Sequence, residues 1–116
     1  MPYKAKTENQ ATTNAYASIL RVNLWDNPLV SIIVKNAHAT NVADWKILVA
    51  NGDRSSSDVW GTEKAEAQLA GNNTIAKYPA AAAIERIPHA WLDVQAKSNS
   101  AGNAALMYAY IYAAGK

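Results

Sequence analysis

The chain holds 116 residues, half of them apolar, with 11 Lys and Arg against 9 Asp and Glu for a net charge of +2. Such a length makes one domain, able to bury a core without metal or disulfide staples. The absence of cysteine excludes disulfide scaffolds, thiol catalysis and Cys-ligated zinc, and no basic cluster gives nucleic acid or a membrane surface an electrostatic footprint.

No apolar run approaches the roughly 20 residues of a membrane span. The polar start, Met1–Gln10, is not a signal peptide, so a soluble protein made in the cytosol is expected. Alanine occurs 24 times, Tyr six, Trp four and Phe never, a balance suited to closely packed sheets and flat contact surfaces. Gly, Asn and Pro punctuate the chain roughly every 8–12 residues, the rhythm of a β-sandwich.

Met1–Thr12 is polar and unpatterned and reads as an extended arm, either disordered or ordered only on a partner. Residues 13–116 form the domain. Over Asn14–Leu24, Tyr16, Ser18, Leu20, Val22 and Leu24 alternate with Ile19, Arg21 and Asn23. Trp25-Asp26-Asn27-Pro28 is a turn. Leu29–Lys35 is a strand with Val30, Ile32 and Val34 inward and a mixed outer face of Leu29, Ser31, Ile33 and Lys35. After a polar loop, Trp45–Ala50 is a strand with Trp45, Ile47 and Val49 together. Asn51-Gly52-Asp53 turns the chain, since Asn-Gly accepts positive φ cheaply, and Arg54–Ser57 extends that loop.

Lys64–Leu69 alternates like a strand although its residues favour helix; followed by the Gly71-Asn72-Asn73 turn and Ile75–Tyr78, it reads as a hairpin. Pro79–Ala83 is a connector. Ala90–Lys97 is the cleanest strand, with Ala90, Leu92, Val94 and Ala96 in and Trp91, Asp93, Gln95 and Lys97 out. Ala104–Ala113 is rich in aromatic and branched residues and free of Gly, Pro and charge, so it is a strand. Leu106, Tyr108, Tyr110 and Tyr112 share one of its faces; Met107, Ala109, Ile111 and Ala113 share the other. Neither face is polar, so something is expected against both: the core on one side, and a second layer, the arm or a neighbouring subunit on the other. The sum is an all-β, antiparallel two-sheet sandwich, jelly-roll-like, of seven or eight strands with an N-terminal arm.

Chemistry is scarce. His38 and His89 lie 51 residues apart with no third ligand at workable spacing, so no metal site is expected. Ser55–Ser57 near Asp53 and Asp58 lack a nucleophile elbow. Glu63, Glu66 and Glu85 offer no clear catalytic carboxylate pair, and no glycine-rich phosphate cradle occurs. Neither catalysis nor a cofactor is expected. Trp25, Trp60 and Trp91 read as core caps, interface anchors or sugar platforms.

The order Val30-Ser31-Ile32-Ile33-Val34-Lys35, loop, Trp45-Lys46-Ile47-Leu48-Val49-Ala50-Asn51-Gly52-Asp53, and later Ile87–Ser98 with the Gly102 turn into the last strand, resembles small β-sandwich virion proteins of tailed bacteriophages. Capsid decoration or cement proteins are most alike, and the likeness runs from Leu29 to the C terminus. It implies a non-enzymatic protein, synthesised in the host cytoplasm and resident on the virion. It would bind the outside of the head and staple neighbouring major capsid protein subunits, with no nucleic acid or membrane as partner. Tails, head fibres and connectors use related sandwiches. On this reading Tyr3, Lys4, Lys6 and Trp25 contact the capsid, and Tyr108, Tyr110, Tyr112 and Trp91 lie at a contact between copies, a homodimer or higher homo-oligomer. A carbohydrate-binding or adhesin sandwich using Trp25, Trp60 or Trp91 is the alternative.

Overall fold

The computed structural model describes residues 3–52 and 59–115. Met1, Pro2, the expected Arg54–Ser57 loop and the Ser55–Ser57 group with Asp53 and Asp58 lie outside the described residues. Nine strands occur among those described: β1 (Tyr3–Ala11), β2 (Ala17–Asn23), β3 (Leu29–Asn36), β4 (Ala43–Ala50), β5 (Gly61–Leu69), β6 (Thr74–Tyr78), the two-residue β7 (Glu85–Arg86), β8 (Trp91–Ser98) and β9 (Leu106–Ala114). They form two sheets, the first in the order β1-β9-β3-β6 with β7 also on β3, the second β2-β8-β4-β5. Every pairing is antiparallel. Eight long strands dealt in this way between two sheets make a jelly-roll sandwich.

Period-two alternation builds the core. Val30, Ile32 and Val34 of β3 and Met107, Ala109, Ile111 and Ala113 of β9 project from the first sheet and are fully or almost fully buried. Opposite them the second sheet contributes Val22, Trp45, Ile47, Val49, Leu92, Val94 and Ala96. Each large apolar side chain so removed from water stabilises by roughly 1.5–3 kcal/mol.

Buried polar groups are tied down. Asn36 donates from Nδ2 to the carbonyls of Asn41 (2.8 Å) and Leu69 (3.0 Å), while its Oδ1 accepts from His38 N (3.1 Å). His38 Nδ1 in turn accepts the amides of Thr40 and Asn41, so this histidine organises the β3–β4 loop. Thr12 links the β1–β2 corner to the β8–β9 loop: its hydroxyl meets Ser98 Oγ at 2.8 Å and accepts Ala105 N at 2.8 Å.

Four expectations need correcting. Residues 3–11 are extended, but as a strand rather than a free arm: β1 pairs with β9 from Tyr3↔Ala113 to Ala11↔Leu106. Ala5 packs on the core, and Thr7 bonds the carbonyl of Ile19 in the other sheet. In β2 the expected phase fails because a bulge between Ser18 and Leu20 turns Ile19 inward. β5 and β6 are strands but not a hairpin, since β5 pairs with β4 and β6 with β3. The intervening turn, with Asn72 and Asn73 at φ 61° and 62°, crosses between sheets. It is anchored by Asn72 N on the His38 carbonyl. Finally, Asp93 projects from the outer face of the second sheet but is fully buried beneath Arg21, Ser18 and Gln95, all of which bond its carboxylate.

Candidate docking face on the first sheet

Because Met107, Ala109, Ile111 and Ala113 fill the core, the tyrosines of β9 must point outward. Strand register assembles what lies beside them. One row runs Lys6–Tyr110–Ile33–Lys77 across β1, β9, β3 and β6; the next rows are Lys4–Tyr112–Ser31 and Tyr108–Lys35–Ile75. Leu29 stands opposite Arg86 at the end of the same face. The face is apolar and wet in part: Ile33 and Tyr112 on its inner strands are 41% and 40% exposed, and Ile75 on the edge strand 62%. A shallow groove of about 440 Å³ runs between Lys4 and Lys6 on one side and Tyr110, Tyr112, Ser31 and Ile33 on the other.

Among the described residues no second layer lies across the tyrosines. β1 lies beside β9, not across it, and reaches only the phenol tips. Tyr110 donates to Glu8 Oε2 (2.8 Å) and Tyr108 to Asn9 Oδ1. Asn9 takes φ 56° where the β1 ladder is bulged, and the bulge lets Glu8 and Asn9 turn toward the phenols. Lys35 Nζ sits 4.3 Å over the Tyr108 ring, a cation–π contact that also lays its aliphatic stem on the face. The Tyr110 hydrogen bond, then the Lys6 ammonium 3.5 Å away, hold Glu8 below its ordinary carboxylate value. The same bond to Glu8 pushes the Tyr110 phenol up.

Charge is divided unevenly. These rows carry Lys4, Lys6, Lys35, Lys77 and Arg86, five of the 11 cations of the chain, and only Glu8 of its nine carboxylates.

The structure thus merges Lys4, Lys6, Tyr108, Tyr110 and Tyr112 into one surface. Tyr3 joins at its edge through its backbone. Trp91 is elsewhere: it lies in the second sheet opposite Asn23 and Ala50, its indole N–H donating to the Gly52 carbonyl at 3.1 Å. Trp25 stands at the β2–β3 turn, 76% exposed, beside a second shallow groove lined by Pro28, Arg86, Pro88 and His89. Trp60 lies under the Arg21 guanidinium at 4.8 Å. Ile33, Ile75, Lys35 and Lys77 are members of the face that the sequence reading did not assign. The available signal was an isoleucine on the outer side of a strand whose inner side was already apolar.

Among the described residues no three His, Asp or Glu side chains come together as metal ligands. His89 pairs with Asn51 Oδ1 (3.0 Å), away from the loop that His38 organises. Glu63 and Glu66 accept the phenols of Tyr78 and Tyr16. Among the described residues no helix is long and apolar enough to cross a membrane.

The sequence matches no family model and no curated protein. Solved structures do share its fold. A chain in the acidic stable capsid structure of Helicobacter pylori bacteriophage KHP30 superposes with a TM-score of 0.56 at 11% identity, over 99% of this chain and 89% of that one. The infectious bursal disease virus VP2 subviral particle gives 0.52 at 9% identity, over 97% of this chain and 30% of that one. A chain from the infectious bursal disease virus Gx strain gives 0.50 at 11% identity, over 100% and 32%. This chain therefore spans about a third of the two bursal disease virus chains and nearly the whole of the phage chain. At these identities the likeness is one of fold: two antiparallel sheets in jelly-roll order.

Proposed function

We propose that this chain is a structural virion protein of a bacteriophage, a decoration or cement protein that docks on the outer surface of the head and staples neighbouring major capsid protein subunits. The observation that carries the reading is the outer face of the first sheet. Ile33, Ile75 and Tyr112 stand open to water in a frame of lysines, and such an exposed apolar patch with a polar rim marks an interaction surface. The jelly-roll shared with a chain of the KHP30 capsid structure supports the virion setting. Docking that spans two capsid subunits gains strength from multivalency even where each contact is modest.

Lys4 and Lys6 enter this reading as members of β1, which is paired along β9, and not as part of a free arm. The test is co-sedimentation of the purified protein with phage heads that lack it. Wild type should pellet with heads, and an Ile33→Ser/Tyr112→Ser variant of unchanged circular dichroism should stay in the supernatant. Equal pelleting of both would remove this face from the role.

A second reading rests on Trp25, whose 76% exposure beside Arg86 and His89 suits stacking of a sugar ring. Glycan-array binding lost in Trp25→Ala would favour a carbohydrate-binding virion component instead.

A further inference from the structure

We infer that the partner surface seated on the first sheet is an acidic one with an apolar centre, belonging to another protein and not to a second copy of this chain. The inference rests on the docking role proposed above and names the chemistry of its partner.

Charge is the first argument. Five cations and one carboxylate occupy the strand rows of this face, and the one carboxylate, Glu8, is already engaged by Tyr110 and Lys6. A twofold dimer through this face is isologous, so each patch meets its own copy. It would bring ten cations together over two occupied carboxylates. Like charges pressed together at an interface oppose association.

Head-to-tail stacking of copies fares no better. Of the eight carboxylates elsewhere in the sequence, four are engaged within the described residues. Asp93 is buried under Arg21, Asp44 is bonded by Asn99 (2.9 Å) and approached by Lys97, and Glu63 and Glu66 are taken by tyrosines.

The apolar centre is the second argument. Ile33 lies between Lys6 of β1 and Lys77 of β6, Tyr112 stands beside Lys4, and Ile75 stands on the edge strand beyond Lys35. A purely anionic ligand such as a phosphate backbone would leave that centre wet. A protein surface with an apolar side chain ringed by Asp or Glu fills the groove between Tyr110, Tyr112 and Ile33 and neutralises Lys4, Lys6 and Lys77 together.

The experiment measures head binding of wild type, a Lys4→Glu/Lys6→Glu/Lys77→Glu variant and the milder Lys→Gln counterpart, from about 50 to about 500 mM NaCl, a range over which exposed charges become screened. The expected result is at least a tenfold loss for the Glu variant, a smaller loss for the Gln variant, and weakening of wild type with salt. Wild-type binding that ignores both salt and charge reversal overturns the inference while leaving the docking role standing. Absence of any head binding removes the docking role, and the inference with it. Two parallel arms also overturn it: phosphatidylglycerol vesicles or single-stranded DNA bound as tightly as heads, or a wild-type dimer in sedimentation equilibrium that Tyr112→Ser dissociates.

Discussion

Replacing Arg21 by alanine should destabilise the protein more than replacing Asp93, although Arg21 is the more exposed partner. The side chain of Arg21 is 32% exposed and that of Asp93 is wholly buried, joined at 2.9 Å. Arg21→Ala leaves a dry carboxylate with only the Ser18 hydroxyl and the Gln95 amide for support. Stripping one partner from a buried ion pair costs about 3–5 kcal/mol, and the two remaining hydrogen bonds place this case near about 3 kcal/mol. Asp93→Ala leaves no dry charge. Arg21 stays over the Trp60 ring at 4.8 Å and reaches water, as does Ser18. The cost is then the lost charge-assisted bonds, about 1–2 kcal/mol. The difference amounts to several degrees of Tm, at about 4–8 °C per kcal/mol for a small domain.

Urea unfolding followed by tryptophan fluorescence measures both variants near neutral pH, and the double variant completes a cycle. Once Asp93 is gone, Arg21 has little left to neutralise, so the double variant should lie close to Asp93→Ala alone, with a coupling of about 3 kcal/mol. If Asp93→Ala proves as costly as Arg21→Ala, or the two effects simply add, the account of a carboxylate kept buried by its guanidinium is wrong.

Gly71→Ala should destabilise by about 1–3 kcal/mol, because its Cβ would stand 2.4 Å from the His38 carbonyl oxygen and backbone must move; a thermal melt unchanged from wild type refutes this. Thr12→Val, near-isosteric, leaves the buried Ala105 amide without the hydroxyl it donates to, and should cost about 1–3 kcal/mol by urea titration. Hydrogen bonding to Tyr110 and the charge of Lys6 depress Glu8 below 4.5. Its support is therefore complete above the ordinary carboxylate value and is lost as pH falls through the lower folded one. Carbon-detected NMR titration of the Glu8 carboxyl should show that depressed midpoint, and Tyr110→Phe should raise it. Burial, then the bonds to Glu66 and Glu63, raise Tyr16 and Tyr78 above 10.0, and the bond to Glu8 raises Tyr110. What these phenols contribute is present below 10 and declines as pH climbs through the raised values; tyrosinate absorbance from all three near 10 would contradict the contacts described.

Strands with large residues on their inner side were legible without coordinates. Val30-Ile32-Val34, Trp45-Ile47-Val49, Leu92-Val94-Ala96 and Met107-Ala109-Ile111-Ala113 alternate cleanly, and each lies where its period places it. β1 escaped because Ala5 and Thr7 are too small to stand out against Lys4, Lys6 and Glu8, so the alternation is real but faint. The phase of β2 was lost to a bulge that no residue type announces. The turn at Gly71–Asn73 was readable as a turn, yet whether it joins neighbours in one sheet or steps between two depends on β4 and β3, distant in sequence. The tyrosine face was visible from spacing alone. Its lysine frame was not, because Lys6, Lys35 and Lys77 become neighbours only through register.

The placement of β9 bears on how this molecule comes into being. It is the last strand among the described residues, and it sits between β1 and β3, both made long before it. Until it emerges from the ribosome, half of the sandwich has no middle, and β1 has no ladder to join. Folding therefore waits on contacts far apart in sequence, such as Tyr3↔Ala113, which makes it slow for its size. It also leaves the edge of β3 that β9 completes unpaired in the nascent polypeptide, when chaperones matter most.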